Sequence, residues 1–180
     1  YLFVPSARYR NRVPAGWLSL LVNAGEGIDV DLFLYKQDKV KTIERIGRRI
    51  RLNRSKIKDA SDTNTDFDDL AESIQSGYYL KNGLAANEEF YYIAILITVT
   101  GYSAKEVEWR AKEMRKLLNA QDLDTVSCLF QEEQAFLSAL PLLKLEKSIY
   151  ERSKRNVLTS GAASCYPFTS FEMSDKDGIL

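Results

Sequence analysis

The chain has 180 residues, 45% of them hydrophobic and 28% charged, which suits one well-buried domain and argues against a disordered chain. Its 25 basic residues balance 25 acidic ones, so no net charge draws the whole chain toward nucleic acid or anionic lipid. It has no histidine, which excludes a Ser-His-Asp triad, a histidine general base and a histidine-ligated metal from these residues.

The first third of the chain predicts a strand, a helix and a second strand. Residues 1–4 are expected to form the first strand, and Pro14 suits the first turn of a helix. That helix would bury Trp17, Leu18, Leu20 and Leu21 and end at residues 23–27. In the second strand, apolar residues alternate with Asp29, Asp31, Phe33 and Tyr35, and we expect these apolar residues to be buried: Ile28, Val30, Leu32 and Leu34.

The remaining elements alternate between helix and strand. We expect helices from about 38 to 79, a strand at 90–100, a helix at 104–119, a strand at 123–130, a short helix at 132–140 and a helix at 144–158. Ser103 and Glu106 form a capping box for the helix at 104–119. The 90–100 run is about half as long as the roughly 20 residues of a membrane helix, so it predicts a central strand.

This order predicts an α+β fold of the split βαβ, ferredoxin-like type, with a helical-hairpin insertion at about 38–79. A mixed α/β sheet is the alternative, because the order of strands in the sheet cannot be inferred from one sequence. Residues 1–143 would form the domain, and residues 144–180 a linker helix with an extended segment.

Two glycine pairs need to be weighed as phosphate-binding loops. The pairs Gly77–Gly83 and Gly25–Gly27 lack the Gly-x-x-x-x-Gly-Lys-[Ser/Thr] spacing, so both are predicted to be turns. Asp29 and Asp31 lie on one face of a predicted strand, which is typical of a solvated face. The chain itself is therefore predicted to have no catalytic residues and no metal or cofactor site.

The predicted helical hairpin is polarised in charge. Residues 36–58 carry ten bases and two acids, whereas residues 59–72 carry six acids and no base. At 100° per residue, the first helix separates an apolar face from a basic one. The apolar face is Val40, Ile43, Ile46 and Ile50, and the basic face is Lys41, Arg45, Arg48 and Arg49. In the second helix the apolar stripe is Phe67, Leu70, Ala71 and Ile74.

This charge pattern has two interpretations. The acidic helix neutralises the basic one or both charged faces are solvated, each exposed pair contributing about 0–1 kcal/mol. Alternatively, the basic face docks a partner, and an acidic protein surface is favoured over anionic lipid. Nucleic acid is the remaining alternative, with stacking by residues chosen from Tyr78, Tyr79, Tyr91 and Tyr92.

Trp109 is a second candidate for a binding surface. It lies about 200° around its helix from Val107, among Lys105, Lys112, Glu113 and Lys116. An exposed tryptophan is a natural interface anchor, although a neighbouring loop or the hairpin could equally cover it. Cys128 and Cys165 lack metal-ligand spacing and suit two ordinary cytosolic thiols, with one disulfide as the alternative.

The carboxyl-terminal run Glu151-Arg-Ser-Lys-Arg-Asn-Val-Leu-Thr-Ser-Gly-Ala-Ala-Ser-Cys-Tyr-Pro-Phe-Thr-Ser-Phe171, followed by Asp177-Gly-Ile-Leu180, carries a family resemblance. It resembles the junction that leads from the amino-terminal domain to the motor in the largest ATPase family of conjugative type IV secretion machines. The segments 16–18 and 135–141 are similar to that family as well.

The resemblance implies a cytoplasmic ATPase at the inner face of the membrane that powers conjugative transfer. This chain would be its non-catalytic amino-terminal docking domain, beginning inside a longer polypeptide and ending before the motor that binds ATP and Mg²⁺. Its partners would be channel components or sister subunits in a homo-oligomer, and contact with transferred DNA through Lys41–Arg49 is the alternative.

Overall fold

The computed structural model describes residues 1–9, 13–22, 24–59 and 64–167. The strands are β1 (Leu2–Phe3), β2 (Ile28–Lys36), β3 (Phe90–Val99), β4 (Val126–Ser127) and β5 (Arg155–Leu158). The helices are α1 (Ser19–Val22), α2 (Lys39–Asp59), α3 (Asn64–Ala85), α4 (Ala104–Asn119), α5 (Glu132–Ala139), α6 (Lys147–Ser153) and α7 (Thr159–Ser164).

The strands form one sheet in the order β2-β3-β1-β4, and β5 also pairs with β3. β1 is antiparallel to both of its neighbours, with Leu2 opposite Ile97 on one side and Ser127 on the other. The first and third strands therefore lie at the centre, as the split βαβ arrangement requires. The predicted α+β fold, with a helical hairpin inserted between β2 and β3, is confirmed.

The chain divides into two compact units. The first comprises Tyr1–Leu34, Tyr92–Arg155 and Gly161–Leu180, and the second comprises Tyr35–Tyr91 and Asn156–Ser160. The core of the first unit is built on β1 and β3 together with α4 and α6. Its fully buried side chains include Phe3, Val4, Ile93, Ile95, Leu96, Ile97, Leu118 and Ile149.

α4 begins and ends where its local sequence predicts. Ser103 has extended backbone angles, and its Oγ accepts a hydrogen bond from the Glu106 amide at 3.2 Å. The Glu106 carboxylate accepts in return from the amide of Tyr102, at 2.8 Å. Met114 and Leu118 are the buried residues of its apolar stripe. Local capping therefore fixes the start of this helix, and burial of the stripe fixes the face it presents to the core.

The second unit is dominated by the antiparallel pair α2 and α3. Gly77 on α3 faces Ile50 on α2 so closely that a methyl group added to the glycine would lie 2.8 Å from Ile50 Cγ1. Nearer the tip, Asn53 Nδ2 donates a hydrogen bond to Ser73 Oγ at 2.9 Å. These two contacts fix the register between the two helices.

That register corrects two predictions about the apolar faces. Val40 was predicted to be buried but is 67% exposed, because the register places it level with the turn that follows Ala85. Phe67 is 50% exposed because it lies level with the end of α2 at Asp59. Only the middle of each apolar stripe has a partner helix opposite it.

The same contacts correct the glycine prediction. Gly77 and Gly83 lie inside α3 rather than in turns, and the helix continues to Ala85, six residues beyond the predicted end. Gly77 allows close approach to Ile50, and Gly83 does the same for Leu158 in this unit. Packing therefore offsets the roughly 1 kcal/mol by which glycine disfavours a helix. Gly25 does lie outside the helices and strands, with a φ of +101°.

Two predicted boundaries and one predicted burial pattern are wrong for reasons of backbone geometry or pairing. α1 begins at Ser19 rather than near Pro14, because Gly16 takes a left-handed φ of +70°. β4 is only two residues long because its partner β1 is equally short. The residues of β2 are half-buried or exposed, and Leu34 is 44% exposed, since β2 is an edge strand.

The predicted linker helix over residues 144–158 is also wrong. α6 ends at Ser153, and the chain then extends as β5, which pairs with β3. Arg155 donates a hydrogen bond to the Ser6 carbonyl at 3.3 Å, which helps to hold this segment in place. Thr159–Ser164 forms the short helix α7, and residues 168–171 and 177–180 of the family-like run lie outside the described residues.

Candidate interaction surfaces

The basic face predicted on α2 is exposed to solvent in all four of its residues: Lys41, Arg45, Arg48 and Arg49. The 100° period of the helix adds Leu52 and Lys56 to the same face. Leu52 is 57% exposed, so a large apolar side chain lies among the cations. The charge pattern alone does not single out Leu52, although the helical period places it on this face.

Three of the four cations on this face have no ion pair among the residues that the structure describes. Among the described residues, Lys41, Arg48 and Arg49 form no ion pair, and neither do Asp68, Asp69 or Glu72 of α3. The register explains this, because Asp68 lies level with Asp59 of α2, about 16 Å along the axis from Arg48. Direct neutralisation of these cations by the acidic helix is therefore not seen.

α3 presents an acidic face of its own. Asp68 and Glu72 are four residues apart on one side of the helix, and Asp69 lies beside them; all three are exposed. The same side continues through Gln75 to Tyr79, which is 65% exposed. The hairpin therefore has a basic face on α2 and an acidic face near the start of α3, each with one large exposed side chain next to its charges.

Trp109 occupies an exposed face of α4 in the first unit. The indole is 62% exposed. The helical spacing places three lysines on the same face as Trp109, namely Lys105, Lys112 and Lys116. Of these lysines, Lys116 pairs with Glu113 at 2.6 Å. Trp17, by contrast, is only 7% exposed. Trp109 thus has the exposure expected of an interface anchor, and it belongs to a different unit from the basic face of α2.

A third surface was not predicted from the sequence. Large apolar side chains are exposed on α5 and on the turns at its two ends: Leu129, Phe130, Phe136, Leu137, Leu142 and Leu143. Phe130 is 98% exposed and Leu143 is 88% exposed, and both have a left-handed backbone, with φ of 59° and 56°. Bulky residues rarely adopt that conformation. The signal in the sequence is weak because four of these six residues lie in the turns at the ends of α5, where no helix or strand period applies.

The remaining side chains that could react or bind a ligand are two thiols and a carboxyl group. Cys128 and Cys165 are both free and buried, and burial raises the pKa of each thiol, which keeps it protonated and weakly nucleophilic at neutral pH. Burial also raises the pKa of Asp31, and the neighbouring Asp29 carboxylate raises it further. Within the described ranges, no group of three cysteine or acidic side chains could hold a metal ion.

No helix among the described residues combines the length and apolar character needed to cross a bilayer. A comparison of the sequence with protein-family models finds no match, and a comparison with curated proteins finds no similar sequence. The function of the chain has therefore to be argued from its own residues.

Proposed function

We propose that this chain is the non-catalytic amino-terminal interaction domain of a conjugative-transfer ATPase of type IV secretion. It would dock channel components or sister subunits at the inner face of the membrane, while a downstream motor binds ATP and Mg²⁺. The family part of the proposal is supported by the resemblance of residues 155–168 to the junction that precedes that motor.

The observation that carries the docking role is the exposure of large apolar side chains in the first unit. Trp109 is 62% exposed and Phe130 is 98% exposed. Scattered exposed apolar residues are ordinary, but several large ones grouped on one helix and its flanking turns are typical of protein-binding surfaces. Tryptophan in particular is enriched among the residues that dominate binding free energy.

The coding frame beyond Leu180 tests the family assignment. We expect a Gly-x-x-x-x-Gly-Lys-[Ser/Thr] motif between a predicted strand and a predicted helix, because backbone amides at that spacing cradle phosphate groups. Sequencing the frame provides this measurement. A stop codon directly after Leu180, or a downstream sequence without this motif, would contradict membership in the ATPase family.

A competition experiment tests the docking role. When the isolated chain is expressed in excess in donor cells that carry the encoding element, it should occupy docking sites without supplying a motor. We expect the transfer frequency to fall at least about tenfold, as mass action predicts for an excess competitor. The Trp109→Ala and Phe130→Ser variants should compete less well at equal expression, because each removes an exposed apolar anchor.

The matched control for this competition is Leu34→Ser, which changes an apolar side chain that is 44% exposed on the edge strand, away from α4 and α5 in the sequence. It should compete as well as the unchanged chain. Unchanged transfer in the presence of a well-expressed, folded chain would count against a docking role.

The alternative function is a nucleic-acid-binding module. The observation in its favour is the exposed run of cations on α2, of which Lys41, Arg48 and Arg49 form no ion pair among the described residues. This alternative requires binding to single-stranded DNA that weakens steeply with salt, because neutralised phosphates release counterions. The protein-docking function is favoured because the acidic face of the same hairpin would repel a polyanion.

A further inference from the structure

We propose that the α2–α3 hairpin mediates self-association, in which the basic face of α2 in one copy binds the acidic face of α3 in a second copy. This inference rests on the proposed function in that it names a sister copy as one docking partner. It assigns that contact to two charged, exposed surfaces of the hairpin.

The first step is the state of the charges. Two cations of the basic face, Arg48 and Arg49, are exposed, and so are two acids of the acidic face, Asp68 and Asp69. None of the four forms an ion pair among the residues that the structure describes. The register of the hairpin separates the two groups along its axis, with the acidic group near the tip and the basic group at the middle of α2. Each copy therefore carries both halves of a complementary pair that it cannot close internally.

The second step is the alignment that closes the pair. If two hairpins lie side by side and point in opposite directions, the tip of one is level with the base of the other. α2 of one copy then runs parallel to α3 of its neighbour, and residues 45–49 lie level with residues 68–72. Both helices rise about 1.5 Å per residue, so the alignment persists along the contact. Opposite charges then face each other over about one and a half helical turns.

The third step concerns the apolar side chains next to the charges. In the same alignment Leu52 and Lys56 of one copy come level with Gln75 and Tyr79 of the other. Leu52 is 57% exposed and Tyr79 is 65% exposed, so both have apolar surface to bury. An interface built this way has an apolar contact beside its charged pairs, which is the usual organisation of specific interfaces. It also offers Lys56 the face of an aromatic ring.

A second copy suits the hairpin better than a nucleic acid does. A nucleic acid would use only the cations and would be repelled by Asp68, Asp69 and Glu72 on the same hairpin. A second copy uses both faces. If both such contacts form between the same two copies they close a two-fold dimer, whereas a single contact is heterologous and its repetition generates a ring or a filament.

The experiment measures the mass of the purified chain by sedimentation at about 50 mM and about 500 mM salt, where screening differs strongly. We expect association at low salt that weakens at high salt. The double variants Arg48→Glu/Arg49→Glu and Asp68→Lys/Asp69→Lys should each associate at least about tenfold more weakly, because like charges then face each other. An equimolar mixture of the two variants should associate again, since each supplies the charge that the other has lost.

The matched control is Lys81→Glu/Lys147→Glu, which makes the same change in net charge with two exposed lysines that lie outside both faces. It should associate like the unchanged chain, and far-ultraviolet circular dichroism should show that all variants are folded. Restoration in the mixture is the decisive result, because a damaged fold would not be repaired by a second damaged chain.

Three outcomes would overturn the proposal: a monomer at low salt, a mixture that fails to associate, or loss of association in the control. Binding of a single-stranded oligonucleotide by a chain that stays monomeric would also overturn it and would favour the nucleic-acid alternative. A monomer that still inhibits transfer leaves the proposed function standing, whereas a self-associating chain that has no effect on transfer removes the proposed function alone.

Discussion

Replacing Phe3 with alanine is expected to lower the free energy of unfolding by about 3–5 kcal/mol. Phe3 is 0% exposed and lies in β1, the short central strand between β3 and β4. Its ring also lies under the guanidinium of Arg152, 4.9 Å from the ring centroid. Alanine would leave a cavity at the centre of the sheet and remove this cation–π contact, so the change combines two losses at one position.

Denaturant unfolding followed by circular dichroism measures this effect. The matched control is Phe130→Ala, which removes the same side chain where it is 98% exposed and should change stability by less than about 0.5 kcal/mol. If Phe3→Ala does not fold, Phe3→Leu keeps most of the buried area and should show a smaller loss. Equal stabilities for the Phe3 and Phe130 variants would contradict the assignment of Phe3 to the core.

The part of the fold that the sequence predicts best is the part determined by neighbouring residues. α4 spans Ala104–Asn119, as expected, because Ser103 caps it and its apolar stripe repeats at the helical period. The hairpin was likewise predictable, because both of its helices carry periodic apolar stripes. In these segments the local signal and the tertiary packing favour the same structure.

The errors occur where a distant partner decides the conformation. Residues 144–158 have enough helical character to predict one helix, yet β5 forms because β3, more than fifty residues earlier in the chain, offers a pairing edge. Gly77 and Gly83 look like turn residues in isolation, but in α3 they provide close contact with Ile50 and Leu158. A single sequence does not reveal these partners, so local propensity was misleading at both places.

The candidate surfaces follow the same division. The basic face of α2 was predictable because helical geometry alone groups Lys41, Arg45, Arg48 and Arg49. The length over which α2 and α3 overlap, which leaves Val40 and Phe67 exposed, depends on the register and could not be predicted. The apolar residues around α5 were missed because turns have no period, and their exposure depends on the path of the chain after α4.

Gly27→Ala is expected to lower the free energy of unfolding by about 2–4 kcal/mol, the second large effect. Gly27 has a φ of +78°, which alanine adopts only with strain. The added methyl group would also lie 2.7 Å from the Thr100 carbonyl oxygen and would overlap the guanidinium of Arg110. Displacing Arg110 would break its 2.6 Å hydrogen bond to that carbonyl and weaken its 2.8 Å ion pair with Glu106.

Gly25→Ala separates the two causes of this loss. Gly25 also has a positive φ, of +101°, but no atom lies within 4 Å of the position its added methyl group would take. In Gly25→Ala, backbone strain alone should lower the free energy of unfolding, by about 1–2 kcal/mol. Gly27→Ala should therefore be less stable than Gly25→Ala by at least about 1 kcal/mol. Equal losses would mean that Arg110 moves aside freely. In that case the contact between Gly27, Thr100 and Arg110 would contribute little to holding the start of β2 against the end of β3.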